Sequence, residues 1–408
     1  MHKQLFFIAV SLLLAACAST SQSNTDQPVK TGAEVLLDRH LEELSGKRIG
    51  LVMNPTARVN DVHMLDTLRA RGLNITALFA PEHGFRGEAG AGEIIEDGVD
   101  QETGLPVHSL YGTTRKPTQE MLADTDLLIF DIQDVGVRYY TYIATLGLVL
   151  EAAAEAEIPV WILDRPNPLG GNYISGWLLE EEFKSFVGPY PIPAVHGLTM
   201  GEIGLMMVRE GWISFENEPA VHVIEMEGWQ RDMIWPDTGL DWIPPSPNLG
   251  TFDQAFVYPG TVFFEGTNLS EGRGTEKPFL LLGSPETDLS DRDIVQLDDL
   301  SDQINIKRTE FTPVSIPGKA PTPKHQDKKV KGIEIEVTGY DFDPFRIGLK
   351  ILQTLVNATP DAEIKPFMYN LTGTKKIDGL LSGDANPMTV DFNNSDFIEL
   401  RKTYLLYD

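Results

Sequence analysis

Cysteine is almost absent from this chain, and basic residues are scarce. The 408 residues include one cysteine, Cys17, so no disulfide can form within the chain. There are 33 lysines and arginines against 60 aspartates and glutamates, and the net charge is −27. Such a charge leaves no basic face of the kind that binds nucleic acid, so we expect no nucleic-acid partner.

Several familiar catalytic signatures are also missing. The chain has no Gly-x-Ser-x-Gly turn, no Gly-x-Gly-x-x-Gly spacing after a strand, and no His-x-x-His or cysteine pair. These patterns are typical of serine hydrolases, dinucleotide sites and zinc sites, respectively. We therefore expect no cofactor and no resident metal.

The chain has one long apolar run, residues 5–16, which follows the basic start His2-Lys3 and is too short to span a membrane. It ends in Leu14-Ala15-Ala16-Cys17, the lipobox pattern of a bacterial lipoprotein with Cys17 as the lipid acceptor. An ordinary secretory signal cleaved near Ala18 is the alternative. We expect residues 1–17 to be a lipoprotein signal peptide.

The next segment, residues 18–33, is rich in Ser, Thr, Gln and Asn and is predicted to be a flexible tether. Ala18, rather than an aspartate, follows the cysteine, which favours sorting to the outer membrane. We therefore expect a cell-envelope lipoprotein that faces the periplasm and is attached to the membrane through an N-terminal lipid anchor.

The order of apolar segments predicts an α/β fold. The first half alternates strand-like segments at 48–53, 73–79, 127–131 and 160–164 with helix-like segments at 62–71, 142–157 and 199–210. Strands separated by helices in this way form a parallel, doubly wound sheet. The helix at 199–210 begins with a capping box of Thr199 and Glu202.

At residues 242–248 a proline-rich, irregular segment replaces the alternation of strand-like and helix-like segments. A chain of this length also favours two domains. We predict a first domain at residues 34–250 and a smaller α+β domain at 251–408. The second domain is expected to contain a strand at 332–337 and helices at 344–356 and 395–405.

Charged side chains follow three of the predicted strands. The second strand leads into Glu82, His83 and Arg86, the third into Asp131-Ile132-Gln133-Asp134, and the fourth into Asp164-Arg165-Pro166-Asn167. The carboxyl ends of neighbouring parallel strands meet at one crevice, so we expect these groups to lie close together. Glu82 and His83 suit general acid–base chemistry. The alternative is a polar turn in which His83 and Arg86 bind backbone carbonyls.

Two other segments carry candidate groups. Residues 258–275 are predicted to be an apolar strand that leads into Glu265 and then a glycine-punctuated loop with Arg273 between two glycines. Arg273 is suited to clamp a carboxylate, or else it pairs with a local acid in a structural turn. His196 lies just before the capped helix, whose N-terminus is a natural place for an anion. We expect Asp164 and Arg165 to pair with each other.

Taken in chain order, these motifs resemble those of the NamZ family of exo-β-N-acetylmuramidases. The resemblance covers the chain from about residue 36 to the C-terminus. It rests on Asn54-Pro55-Thr56, on Pro81-Glu82-His83-Gly84-Phe85-Arg86-Gly87, on Asp131-Ile132-Gln133-Asp134-Val135-Gly136 with Arg138 and Tyr139-Tyr140-Thr141-Tyr142, on Asp164-Arg165-Pro166-Asn167-Pro168, on His196-Gly197-Leu198-Thr199, and on Glu265-Gly266-Thr267-Asn268 with Gly272-Arg273-Gly274-Thr275.

The resemblance implies a Rossmann-like N-terminal domain, a smaller C-terminal α/β domain and an active-site cleft between them. It implies removal of N-acetylmuramic acid from the non-reducing end of peptidoglycan fragments, with Glu82 as the catalytic acid and His83 beside it. The second carboxylate is expected among Asp131, Asp134 and Glu265, unless the substrate's own acetamido group takes that part.

The remaining motif residues are expected to bind substrate. Arg273 is the first choice for the lactyl carboxylate, followed by Arg86 and Arg138. Further substrate ligands are expected at Gln133, Asn167, His196 and Asn268. Two other functions remain open: a non-catalytic lipoprotein that binds muropeptides, and a metal-dependent hydrolase that uses Asp131, Asp134 and His83.

Overall fold

The structure, a computed structural model, describes residues 28–87, 90, 92–93 and 95–408. In chain order its strands are β1 (Arg48–Met53), β2 (Arg58–Val59), β3 (Val62–His63), β4 (Asn74–Ala80), β5 (Gly98–Val99), β6 (Pro106–Ser109), β7 (Leu127–Asp131), β8 (Val160–Leu163), β9 (Ser175–Leu178), β10 (Pro193–Val195), β11 (Val221–Ile224), β12 (Leu281–Ser284), β13 (Ile304–Phe311) and β14 (Val330–Val337).

The α-helices are α1 (Gly32–Arg39), α2 (Met64–Ala70), α3 (Gln119–Leu122), α4 (Tyr142–Glu155), α5 (Met200–Arg209), α6 (Phe252–Thr261), α7 (Asp291–Asp298), α8 (Pro344–Asn357), α9 (Phe367–Thr372), α10 (Ile377–Leu381) and α11 (Ser395–Arg401). Short 3₁₀ segments lie at Leu41–Leu44, Glu181–Phe183, Trp235–Thr238 and Val262–Gly266.

A large sheet organises the first part of the chain. Its strand order is β11-β8-β7-β1-β4-β6-β5, and all neighbours are parallel except the edge pair β5 and β6. Every residue of β7 is buried, as expected for a parallel strand covered on both faces. The predicted parallel α/β arrangement is therefore confirmed at this level.

Helices cover both faces of this sheet. Successive strand residues point to opposite faces, and on each face their apolar side chains are buried against helices. On one face, Val52 and Phe130 belong to the same buried apolar cluster as residues of α4 and α5. On the other face, Leu51 and Ile129 pack in a cluster with residues of α1 and α2. The sheet is thus packed between two layers of helices.

The second part of the chain is a smaller α+β assembly. Its antiparallel sheet has the order β12-β14-β13. Helices α6 and α8 cross closely at Gly260 and Gly348, where a Cβ built on Gly348 would lie 2.4 Å from the Gly260 Cα. Side chains of this part, including Phe263 and Phe345, belong to the same apolar cluster as Phe130 of β7.

The segment before and within the first helix is integrated into the fold. The Val29 N–H donates to the Thr238 carbonyl, and Lys30 pairs with Glu227 through backbone hydrogen bonds. Thr31 then caps α1 in a capping box with Glu34. The predicted tether at 18–33 therefore overlaps the fold at its C-terminal end. Cys17, the signal peptide and the rest of the tether lie outside the described residues.

One predicted element is wrong. Residues 258–266, expected to be an apolar strand leading into Glu265, form the end of α6 and a 3₁₀ turn. Thr251 caps α6 in a capping box with Gln254, so the helix begins before the segment that we interpreted as a strand. An apolar run buried on all sides carries no periodicity that separates helix from strand.

Among the helices of the described residues, none combines the length and the apolar composition that crossing a bilayer requires.

Candidate active site

A cavity of about 420 Å³ lies at the carboxyl end of β4 and is lined by both parts of the chain. A cavity of this size is within the range of small-ligand sites. From the first part come Glu82, His83, Gly92, Tyr111, Tyr139, Tyr140, Thr141, Val187, Ser246 and Leu249; from the second come Tyr258, Glu265, Glu271, Arg273, Phe279, residues 319–324, Phe367 and Leu371.

Glu82 is held in this cavity by two hydrogen bonds. The Thr141 hydroxyl donates to Oε2 at 2.7 Å, and the Gly92 backbone N–H donates to Oε1 at 2.9 Å. Glu82 itself is 9% exposed, so the carboxyl is largely shielded but still lines the cavity. Its two oxygens are therefore fixed in direction, which general acid–base catalysis requires.

A tight turn places Glu82 and His83 together. The Gly84 N–H donates to the Pro81 carbonyl, and His83 has φ of +74°, in the left-handed region that non-glycine residues rarely adopt. Strained conformations of this kind cluster at functional sites. Phe85 does not line the cavity; its ring packs against that of His63, with centroids 5.0 Å apart.

Aromatic rings form much of the cavity wall. The rings of Tyr258 and Phe279 meet edge-on, with their centroids 4.8 Å apart. The ring centroids of Tyr139 and Tyr140 lie 5.9 and 6.0 Å, respectively, from that of Tyr258. Burial raises the pKa of Tyr111, and the carboxylates of Glu82 and Glu265 raise it further. Burial also raises the pKa of Tyr258, to which Glu265 and Glu82 again contribute. The charges of Glu82 and Glu265 thus act on both Tyr111 and Tyr258. Because their pKa values are raised, both phenols stay protonated and can donate hydrogen bonds.

The second part of the chain contributes a charged cluster that consists of Glu265, Glu271, Arg273 and Lys324. The Arg273 guanidinium donates to Glu265 at 2.6 Å and lies 3.6 Å from Glu271, while Lys324 lies 2.9 Å from Glu271. Burial alone would raise the pKa of Glu271, but Lys324 and Arg273 hold it below its usual value. Glu271 is therefore a buried anion.

Asp131 was predicted as a catalytic residue and Gln133 as a substrate ligand. Both side chains instead make hydrogen bonds within the fold. Asp131 is fully buried, and both of its carboxylate oxygens accept from Arg165. This is also a correction for Arg165, which we had expected to pair with Asp164. Gln133 donates to the carbonyls of Asp134 and Pro166. Neither residue lines the cavity.

Asp134 and His196 are buried next to each other. Asp134 accepts from the Gly136 N–H at 2.7 Å, and its carboxylate lies 4.0 Å from His196 Nε2. Burial raises the pKa of Asp134 to about 7 and lowers that of His196 to about 3. His196 is thus neutral, and its Nδ1 accepts from the Leu198 N–H. Neither residue lines the cavity, which corrects their predicted roles.

The helix N-terminus after His196 already holds an anion. The carboxylate of Asp164 accepts from the Thr199 hydroxyl at 2.6 Å and from the Gly201 N–H at 2.9 Å. The predicted capping box of Thr199 and Glu202 is confirmed. The N-terminus of this helix therefore already has an anionic partner, the Asp164 side chain.

Four other predicted substrate ligands also lie outside the cavity lining. Arg138 is fully buried and donates to the carbonyls of Trp177, Ile192 and Leu371. Arg86 pairs with Asp100 at 2.7 Å. The other two support loops: Asn167 donates to the Leu198 carbonyl, and Asn268 joins the backbones of Asp361 and Glu363. We correct their roles to structural ones.

The structure thus brings together Glu82, His83, Glu265 and Arg273 from the predicted set. Reasoning from the sequence missed Thr141, although it stands in a quoted motif, because nothing local shows that it faces Glu82. It also missed the 312–329 loop between β13 and β14, whose Lys-Ala-Pro-Thr-Pro-Lys run at 319–324 lines the cavity. That run has the composition of an ordinary surface loop.

The predicted metal set is not assembled. Asp131 is fully engaged by Arg165, whereas His83 lines the cavity. Within the residues that the structure describes, no group of three or more His, Cys, Asp or Glu side chains has an arrangement that could hold a metal ion. Asp131, Asp134 and His83 therefore do not form the site that a metal-dependent hydrolase would need.

Fold and site together define a two-part α/β protein with a cavity that contains buried carboxylates and tyrosines. Residues 49–253 match the family described as exo-β-N-acetylmuramidase NamZ, N-terminal, and residues 256–407 match exo-β-N-acetylmuramidase NamZ, C-terminal. The chain therefore belongs to the NamZ family, as its motifs predicted.

Individual relatives agree with this assignment. The chain is 39% identical to the peptidoglycan β-N-acetylmuramidase NamZ of Bacillus subtilis (strain 168), over 100% of both chains. Two crystal structures of DUF1343 family proteins from Bacteroides fragilis NCTC 9343 are each 33% identical to it. One has a TM-score of 0.80 and covers 93% of this chain and 99% of its own; the other has 0.77, with 94% and 99%.

Proposed function

We propose that this protein is an exo-β-N-acetylmuramidase that releases N-acetylmuramic acid from the non-reducing end of peptidoglycan fragments during cell-wall turnover. Membership of the NamZ family and the name of the Bacillus subtilis relative support the reaction class. The observation that carries the proposal is the Glu82 carboxyl, which lines the cavity and is oriented by Thr141 and Gly92.

In this mechanism Glu82 is the general acid. It protonates the glycosidic oxygen as the bond to the anomeric carbon breaks, and positive charge then develops on the sugar ring. The two hydrogen bonds to Glu82 fix the direction of that proton transfer. The tyrosine hydroxyls of the wall bind sugar hydroxyls, and the rings bury the apolar faces of the sugar.

Glu265 is the second protein carboxylate of the cavity that we propose acts on the sugar. It lines the cavity with Glu82, whereas Asp131 and Asp134 do not. Glu265 stabilises the oxocarbenium-like transition state, or activates water, while Arg273 holds it in place. The substrate's acetamido oxygen is the alternative nucleophile, and in that case Glu265 orients the acetamido group.

The finer features of the fold support this placement. The order β6-β4-β1-β7-β8-β11 is that of a Rossmann-like sheet, in which the first strand lies between the two halves. Ligands of such sheets bind outside the carboxyl ends of the strands near this switch point, where β1, β7 and β4 end. We propose that the cavity is the active-site cleft between the Rossmann-like domain and the smaller domain.

The location of the enzyme is a further part of the proposal. The lipobox at Leu14-Ala15-Ala16-Cys17 supports a lipoprotein anchored at the outer membrane and facing the periplasm. Peptidoglycan fragments are produced in that compartment. Metabolic labelling with a palmitate analogue tests the anchor: wild-type protein should carry label, and Cys17→Ser protein should not.

Product analysis tests the reaction itself. Purified protein is incubated with a disaccharide that has N-acetylmuramic acid at its non-reducing end, and with the reverse disaccharide, which has N-acetylglucosamine there. Mass spectrometry should detect free N-acetylmuramic acid only from the first. Saturable binding of the first disaccharide without turnover would instead identify a binding protein, and turnover of the second would exclude the proposed specificity.

A further inference from the structure

Three lysine or arginine residues line the cavity within the part of the chain that the structure describes: Arg273, Lys319 and Lys324. N-acetylmuramic acid differs from N-acetylglucosamine by a lactyl ether that ends in a carboxylate. A site that selects the first sugar over the second therefore needs a cation that is available to that carboxylate.

Arg273 and Lys324 are already matched by protein anions. Arg273 contacts Glu265 and Glu271, and Lys324 contacts Glu271. The Lys324 ammonium also donates to the carbonyls of Phe264 and Leu269, at 2.7 and 3.0 Å. Two cations and two carboxylates balance in this cluster, and a third carboxylate would compete with Glu265 for Arg273.

Lys319 is different. It is half-buried on the 312–329 loop, and its ammonium makes no hydrogen bond or ion pair with any residue that the structure describes. Its backbone, by contrast, is fixed: the Lys319 carbonyl accepts from the Asn248 amide at 2.7 Å, and its N–H donates to the Ile316 carbonyl at 3.1 Å. Lys319 is thus a cavity residue whose ammonium has no carboxylate partner among the residues that the structure describes.

We propose that the Lys319 ammonium binds the lactyl carboxylate and so determines specificity for muramic acid. This inference rests on the proposed function and revises the expectation that Arg273 performs this task. Lys319 acts on binding and not on the proton transfer at Glu82, because the lactyl group is attached at the sugar's O3 and not at the bond that breaks. Its loss should raise KM and leave kcat nearly unchanged.

The test compares three variants on two substrates. Lys319→Met removes the charge, Lys319→Arg keeps it, and Lys328→Met removes an exposed lysine from the same loop as a matched control. The substrates are the 4-nitrophenyl β-glycoside of N-acetylmuramic acid and its uncharged lactyl amide. Circular dichroism and the thermal midpoint establish that each variant is folded, and Lys319→Gln replaces Lys319→Met if the latter is not.

For the charged substrate, Lys319→Met should raise KM about 10- to 100-fold, the range expected for one charge-assisted hydrogen bond. Lys319→Arg should retain most of the affinity, and Lys328→Met should match the wild type. For the lactyl amide, Lys319→Met and wild type should give similar KM values. An unchanged KM for the charged substrate in Lys319→Met would overturn the inference while leaving the proposed function intact.

Failure of the proposed function is separable from failure of this inference. If the wild-type protein turns over neither glycoside, calorimetric titration with N-acetylmuramic acid still measures the role of Lys319. A Kd at least about tenfold weaker in Lys319→Met than in wild type would support the carboxylate contact. Equal affinities, or no binding to the wild type, would overturn it.

Discussion

Glu82 is oriented by donors from two separate segments of the chain. Thr141 lies at the start of α4, and Gly92 belongs to the segment that follows the Glu82 turn. Because both carboxyl oxygens accept hydrogen bonds, the direction of the Glu82 side chain depends on where these two segments lie. Positioning of this kind is where small displacements have large effects on rate.

Replacing Thr141 tests that positioning at the residue scale. Thr141→Val keeps the shape of the side chain but removes the hydroxyl that donates to Glu82 at 2.7 Å. We expect kcat to fall about tenfold or more with little change in KM, because the hydrogen bond that orients the proposed proton donor is lost. Thr141→Ser should retain most of the activity. Equal kcat for the Val and Ser variants would contradict the role.

The raised pKa of Asp134 predicts how the stability of the fold depends on pH. Its pKa is about 7 in the folded protein because of burial, whereas an aspartate in an unfolded chain titrates near about 3.9. Between these values the folded protein binds one proton more, so this group makes folding less favourable as pH rises from about 4 to about 7.

Asp134→Asn removes that titration. The free energy of unfolding of the variant minus that of the wild type should therefore increase between about pH 4.5 and about pH 7.5. Urea unfolding at the two pH values measures the difference. A stability difference that does not change with pH would show that Asp134 is not held protonated in the folded state.

At the scale of elements, Arg138 ties the two parts of the chain together. Its guanidinium donates to Trp177 of β9, to Ile192 beside β10, and to Leu371 of α9. Arg138→Met should lower the free energy of unfolding by at least about 3 kcal/mol, because three buried carbonyls lose their donor. Thermal or urea unfolding tests this, with the exposed Arg69→Met as control. A KM change without loss of stability would instead restore a substrate-binding role.

The elements also show what the sequence could predict. Strand β8 and the helices α4, α5 and α8 lie within a few residues of their predicted bounds because each has an apolar pattern and a capping residue or a proline at or near an end. The strand predicted at residues 258–266 is wrong because an aromatic-rich run that is buried on every side has no polar face to set its period.

The site was predicted only in part, for a physical reason. Glu82, His83, Glu265 and Arg273 were found because motifs and strand ends point to them. Arg138 and Asp131 were misplaced in the site, because a conspicuous charge in a motif looks the same whether it serves a ligand or buried carbonyls. Lys319 was missed because its approach to the cavity depends on contacts between the 312–329 loop and distant Asn248.

On the scale of the whole molecule, the two parts share one apolar core. Phe130 and Ile162 of the large sheet lie in the same cluster as Phe263 and Phe345 of the second part. We therefore expect a single cooperative unfolding transition, with calorimetric and van't Hoff enthalpies that agree. Two resolved transitions in scanning calorimetry would show that the parts fold independently.

Glu82→Gln tests most directly whether the shared cavity is a glycosidase active site. The variant keeps the size of the side chain but cannot supply a proton, so kcat/KM for the 4-nitrophenyl β-glycoside of N-acetylmuramic acid should fall by about 10²–10⁴-fold. The thermal midpoint should match wild type, and the exposed Glu120→Gln should remain fully active. Release of the sugar by Glu82→Gln at the wild-type rate would contradict the mechanism.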